Sequence, residues 1–169
     1  MDDALRFIEE ASDYGIEHVA LTGGEPLLKR DLREIIRAIR DHGMSCNMST
    51  NLTCLNRGLA EFLGRYDVYL YVSLDGSRPE TYERIRGHGN WKHFMRGVKL
   101  LKEYGVSFST VMAVCKYNYM ETEDYVRLAE KIGAESSCII PVLPVGRAKE
   151  NNVAPSREEV IHSVKVFGE

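Results

Sequence analysis

Gly23-Gly24-Glu25-Pro26 sets two glycines, a carboxylate and a proline in succession, just after an apolar run ending at Leu21. Two glycines let a backbone approach a ligand closely and take φ/ψ values closed to other residues. Pro26 fixes its own φ and biases Glu25 toward an extended conformation. The turn therefore offers carbonyl oxygens and the Glu25 carboxylate as acceptors, which suits a ligand ammonium group. Phosphate is a poorer fit, because there is no GxGxxG and no Lys-Ser/Thr after the glycines. A tight strand-to-helix turn carrying a solvated glutamate accounts for the same four residues.

Other short polar segments have comparable chemistry. Ser49-Thr50-Asn51 supplies hydroxyl and amide groups that both donate and accept, as a sugar or a carboxylate requires; these residues also favour caps and turns. In Ser73-Leu74-Asp75-Gly76, an extended backbone would point Ser73 and Asp75 to one side, where a hydroxyl and a carboxylate suit a ribose. An Asp-Gly turn is the plainer account. Arg84, Arg86, His88 and Trp91 follow in what reads as a polar loop, with Arg86 either exposed or set against a carboxylate. Tyr117 and Tyr119 line a pocket or pack over a barrel end. His18, His42, His93 and His162 have no partner at metal-ligand spacing and read as surface or helix-end residues.

These segments need elements to position them. Leu32, Ile35, Ile36 and Ile39 repeat at helical spacing, as do Tyr125, Leu128, Ala129 and Ile132. Leu5, Ile8 and Ala11 mark a first helix, and Phe94, Val98 and Leu101 another. Val160, Val164 and Phe167 form a further stripe, opened by Ser156 and Glu159 in capping-box order. Between the helices, Glu17–Leu21, Ser45–Ser49, Val68–Ser73, Ser107–Val114 and Ser136–Pro141 suit buried parallel strands. Gly15, Gly43, Gly64, Gly105 and Gly133 stand where each helix should stop in a left-handed residue. The alternation implies a parallel sheet with helical crossovers, either doubly wound or a barrel. The unusual residues all follow strands, including Lys116-Tyr117-Asn118 and Pro144-Val145-Gly146-Arg147. That is the end at which parallel α/β folds build their sites.

The composition is that of one globular domain over residues 1–169, with 22 basic and 25 acidic residues, a net charge of -3, and no linker or charge block. Neither nucleic acid nor an anionic membrane is an expected partner. No apolar run approaches bilayer length and the start lacks signal-peptide blocks, so a cytoplasmic protein is expected. Cys46, Cys54, Cys115 and Cys138 match no zinc or iron–sulfur spacing. They read as small apolar residues near strands, with no metal ligands expected among them.

Taken in order, Leu21-Thr22-Gly23-Gly24-Glu25-Pro26-Leu27-Leu28, Ser49-Thr50-Asn51 and Val72-Ser73-Leu74-Asp75-Gly76 resemble the core of radical S-adenosylmethionine enzymes. Pro144-Val145-Gly146-Arg147-Ala148 is similar to the last strand loop of the branch that carries C-terminal auxiliary-cluster (SPASM-like) domains. The resemblance covers nearly the whole chain. It implies a partial (β/α) TIM-like barrel, here of about five strands with the first of the usual six missing. It implies that Gly23, Gly24, Glu25 and Pro26 hold the amino group of S-adenosylmethionine. By the same resemblance Ser49, Thr50 and Asn51 lie near the cofactor, and Ser73 and Asp75 approach its ribose. In such enzymes a [4Fe-4S] cluster reduces S-adenosylmethionine to a 5′-deoxyadenosyl radical, which takes hydrogen from a peptide or small-molecule substrate; the protein binds, orients and shields.

The family's Cys-x3-Cys-x2-Cys loop is absent here, and counting units places it upstream of Met1. The expectation is an enzyme fragment, inactive alone, of an oxidoreductase that modifies a peptide or a cofactor precursor. A non-catalytic module that binds S-adenosylmethionine or a partner is the alternative. An unrelated aldolase-like barrel would need a rim lysine, for which Lys116 is the one candidate. Without a preceding strand, Glu17–Leu21 would present an open edge, from which an edge-strand dimer is expected.

Overall fold

In the computed structural model, which describes residues 2–168, each of the five apolar runs forms a strand within a residue of its expected bounds. They are β1 (His18–Leu21), β2 (Ser45–Thr50), β3 (Tyr69–Ser73), β4 (Phe108–Val114) and β5 (Ser137–Pro141). The helices are α1 (Asp2–Asp13), α2 (Leu32–Asp41), α3 (Arg57–Arg65), α4 (Pro79–Arg86), α5 (Asn90–Glu103), α6 (Thr122–Ile132), α7 (Arg147–Glu150) and α8 (Arg157–Phe167). All five strands lie parallel in one sheet in the order β1-β2-β3-β4-β5. A doubly wound sheet reverses its strand order at a switch point. No reversal occurs here, so the winding is that of a barrel segment.

By its contacts the chain divides into two compact units, one of Met1–Tyr71 with Arg96–Phe108, the other of Val72–Met95 with Ser109–Glu169. In the first unit, His18 pairs with Ser45 and Leu21 with Met48 along β1 and β2. Ile36 and Ile39 of α2 are wholly buried, as are Met48 and Leu63. Burial of the Cys46 thiol raises its pKa to about 11, with Arg40 opposing the shift. In the second unit, Thr110 to Val114 pair with Ser137 to Pro141. Tyr82 of α4 packs on Trp91 and Phe94, with ring centroids 5.5 and 5.2 Å away. Ser156 and Glu159 form the expected capping box at the start of α8.

Four of the five expected glycine stops hold, at Gly15, Gly43, Gly105 and Gly133, all at positive φ. Gly64 instead lies inside α3, and the left-handed residue of that turn is Asp67, with φ +49°. A close approach explains Gly64: a Cβ there would stand 2.5 Å from the Tyr104 carbonyl oxygen. The expected polar loop over Arg84 and Arg86 is helix α4, whose one fully buried anchor is Tyr82. His18 is a surface residue, as expected, exposed on β1 and bonded to Ser45 Oγ and Asn47 Nδ2, each at 2.7 Å. Of the cysteines, Cys46 and Cys115 are buried, Cys54 is half-buried and Cys138 is exposed. No helix among the described residues is long and apolar enough to cross a membrane.

Candidate functional site

The loop after β1 is organised by its own residues. Pro26 opens a 3₁₀ turn (Pro26–Leu28), and Glu25 caps it from an extended conformation with φ -138° and ψ 106°. Glu25 Oε1 accepts the Leu27 amide at 3.2 Å and the Thr50 hydroxyl at 2.6 Å. Oε2 accepts the Asn51 amide at 2.9 Å. One carboxylate therefore ties the glycine turn to the end of β2. Both oxygens of the carboxylate expected to meet a ligand ammonium thus already accept protein donors.

The acceptors left facing outward belong to the glycines. Gly23 has φ +137°, a conformation suited to glycine alone. Among the described residues, neither Gly23 nor Gly24 makes a hydrogen bond. A Cβ at Gly24 would meet nothing within 4 Å. Thr22, Gly24, Glu25 and Pro26 border an open cavity of about 310 Å³.

The end of β2 is held as firmly. Thr50, 3% exposed, donates to Glu25 and accepts the Leu52 amide at 3.1 Å. Asn51 Oδ1 accepts the Thr53 amide at 2.9 Å and its hydroxyl at 2.6 Å, closing an Asx turn. Ser49 is exposed. Leu52 follows with φ +61°, although it is a fully buried non-glycine residue. Such backbone strain, of order 1–3 kcal/mol, persists only where surroundings over-determine it. Gly97 of α5 makes the room, since a Cβ there would lie 2.8 Å from Leu52 Cβ and 3.1 Å from its carbonyl oxygen. Gly97→Ala is expected to lower stability by about 1–3 kcal/mol through overpacking. Thermal unfolding tests this; an unchanged melting temperature would mean the loop yields freely.

In the second unit, Ser73 ends β3 half-buried, and its hydroxyl has no protein partner among the described residues. Asp75 is different: 1% exposed, it accepts from Arg86 Nε on one oxygen and from the Ala113 amide, at 2.7 Å, on the other. The expected ribose contact is thus not one its carboxylate is free to make, and Arg86 is neither in a loop nor unpaired. Asn118, fully buried, accepts the Cys115 amide at 2.7 Å and donates to the Asp75 and Ala113 carbonyls, each at 3.0 Å. Glu121 accepts the Ser77 amide and hydroxyl at 2.8 and 2.7 Å, together with the Thr81 hydroxyl. No motif in the sequence announces Glu121, which stands one residue before α6.

No group of three His, Cys, Asp or Glu side chains able to hold a metal ion occurs among the described residues. The four cysteines do not fit an iron–sulfur cluster: Cys46 and Cys115 are buried, Cys54 is half-buried and Cys138 is exposed, and no three of them group together among the described residues. The open backbone at Gly23 and Gly24 does fit an amino-acid ammonium group.

A parallel sheet wound strand after strand, with its glycine turn at a strand's C-terminal end, defines an α/β protein of the barrel-segment class. The chain belongs to the Radical SAM superfamily, whose family description matches residues 1–129. It is 33% identical over 165 residues to an AdoMet-dependent heme synthase of Methanosarcina barkeri, covering 95% of this chain and 47% of that protein. It is 30% identical over 172 residues to a probable GTP 3',8-cyclase of Saccharolobus islandicus, covering 98% of this chain and 56% of the other. The chain thus spans about half the length of the curated relatives it matches.

Among solved structures, anSMEcpe with bound AdoMet and Kp18Cys peptide superposes with a TM-score of 0.84 at 18% identity, over 99% of this chain and 50% of that one. SuiB of Streptococcus suis gives 0.72 at 18% identity, over 82% and 32%. These likenesses establish the fold. β1 does lie at the sheet edge, but none of the matched proteins supports an edge-strand dimer.

Proposed function

We propose that this chain is the S-adenosylmethionine-binding part of a radical enzyme that modifies a peptide or a cofactor precursor. One observation carries the reading: Glu25 anchors the turn to β2, while Gly23 and Gly24 are exposed with no hydrogen bond among the described residues. Carbonyl oxygens there would take the methionyl ammonium. Ser73, whose hydroxyl is free, is the residue left for the ribose. Bound S-adenosylmethionine would supply the radical precursor, with the cluster contributed by ligands other than these four cysteines. The relatives named for heme synthesis, and the structural neighbour holding a peptide, supply the two substrate classes.

Gly24→Ala tests the ammonium contact, because its Cβ meets no protein atom and the fold should tolerate it. Saturation-transfer NMR should show S-adenosylmethionine binding to the unaltered chain and at least tenfold weaker binding to G24A. 5′-Methylthioadenosine, which lacks the amino-acid group, should bind both forms equally. Unchanged S-adenosylmethionine binding in G24A would remove the assignment.

The second reading is a non-catalytic binding module, since no metal-ligand group occurs among the described residues. Iron–sulfur reconstitution of the protein extended in its native reading frame separates the two. Formation of 5′-deoxyadenosine supports the enzyme, and a cluster-free extended protein supports the module.

A further inference from the structure

Outside the glycine turn, the second unit contains a cavity of about 200 Å³ walled by Ile85, Cys115, Val142 and Val153, with Arg84 and Tyr117 also on its lining. The Arg84 guanidinium carbon sits 3.8 Å from the centre of the Tyr117 ring. Lys116 Nζ lies 5.3 Å from the centre of the same ring. Two cations therefore share one aromatic ring. Neither forms an ion pair or a side-chain hydrogen bond with the protein among the described residues, whereas Arg86, two residues along α4, is paired with Asp75. Stacking on a ring holds a guanidinium in place while leaving its edge donors unused. The Cys115 thiol on the wall is held neutral, its pKa raised by burial, so that surface stays uncharged.

We propose that this cavity is a substrate subsite that binds a carboxylate carried on an apolar body, with Arg84 on its lining taking the carboxylate, Lys116 beside Tyr117 adding positive charge nearby, and the aliphatic wall taking the body. The assignment to substrate rests on the radical-enzyme reading above; the binding site itself does not. Carboxylate is favoured over phosphate because the charged end opens onto an aliphatic wall, and because a planar guanidinium matches a carboxylate with two parallel hydrogen bonds.

The test uses the chain as it is, without S-adenosylmethionine, so its failure is separable from failure of the glycine-turn assignment. Calorimetry with 3-phenylpropionate, 3-phenylpropanol and inorganic phosphate compares charge and body in turn. Phenylpropionate should bind at least tenfold more tightly than either of the others. Arg84→Gln should weaken phenylpropionate at least fivefold, and Lys116→Gln should weaken it less. Val153→Trp, which fills the cavity from its wall, should abolish binding while Arg84 and Lys116 remain. Equal affinity for the alcohol, equal affinity for phosphate, or an Arg84→Gln variant that binds as well as the parent would each overturn the proposal. Circular dichroism of the variants guards against misfolding. If Val153→Trp does not fold, the Arg84→Gln and ligand-series results decide alone.

Discussion

Asp75→Ala should destabilise the protein by about 3–5 kcal/mol, the range for removing one partner of a buried ion pair. The Asp75 side chain is 2% accessible and bonds Arg86 with one oxygen and the Ala113 amide with the other. Alanine would leave a guanidinium without a counter-charge and a backbone N–H without an acceptor. The Arg86 side chain is 32% accessible, so water relieves part of its loss and places the effect in the lower half of the range. Asp75→Asn keeps an oxygen for Ala113 but turns its NH₂ toward the Arg86 Nε–H, donor against donor, so it should be less stable than the parent and recover only part of the alanine loss. Urea unfolding at constant slope measures both. A loss under about 1 kcal/mol for alanine would show that Asp75 is not the brace its contacts describe, and would reopen a ligand role for it.

Glu25→Ala has the second largest expected effect, and it reaches function as well as stability. Three hydrogen bonds to one carboxylate disappear together: those from Leu27, Thr50 and Asn51. Hydrogen bonds to charged groups contribute about 1.5–3 kcal/mol each, and because Glu25 is half-buried water offsets part of each loss, so a total of about 2–4 kcal/mol is expected. The glycine turn would also lose its anchor to β2, and S-adenosylmethionine binding should fall at least tenfold. Glu25→Gln distinguishes anchor from ligand. Its amide oxygen can serve Thr50 and Leu27, but its NH₂ then faces the Asn51 N–H, donor against donor. Stability and binding should therefore fall together in the glutamine variant. If Glu25 instead touched the ammonium directly, binding would fall with stability intact, the pattern expected of Gly24→Ala.

The contrast between these residues shows what could be read from the chain alone. Strand positions were legible because each segment lies between a helical stripe and a polar turn, and Val68–Val72 and Val111–Val114 are continuously apolar, all of which depends on local sequence. Helix α4 was not, because Pro79-Glu80-Thr81-Tyr82-Glu83-Arg84-Ile85-Arg86 places one fully buried anchor, Tyr82, among polar neighbours. Periodicity cannot register a helix held mainly by a single aromatic residue. Gly64 misled for a related reason: a glycine needed for close approach has the same letter as one needed for a left-handed turn.

At the candidate site, residue types indicated which loops matter but not the direction of their side chains. Glu25 and Thr50 are 25 positions apart, and Asp75 and Arg86 are 11 apart. Such pairs are brought together by the fold and leave no trace in local spacing. In both cases a carboxylate that looked available to a ligand had already found protein donors. The backbone groups of Gly23 and Gly24 make no hydrogen bond among the described residues.

The strand order has a consequence for how the chain reaches its native state. His18 and Ser45 are 27 residues apart, and so are Thr110 and Ser137, although they lie at opposite edges of the sheet. Each strand pairs with the next one to be synthesised, across one or two helices. No pairing requires the far ends of the chain to meet, so the loop entropy lost at each step stays small and similar. Such a topology has modest contact order for a parallel sheet. The sheet can grow by accretion, each paired strand serving as the template for the next one along the chain.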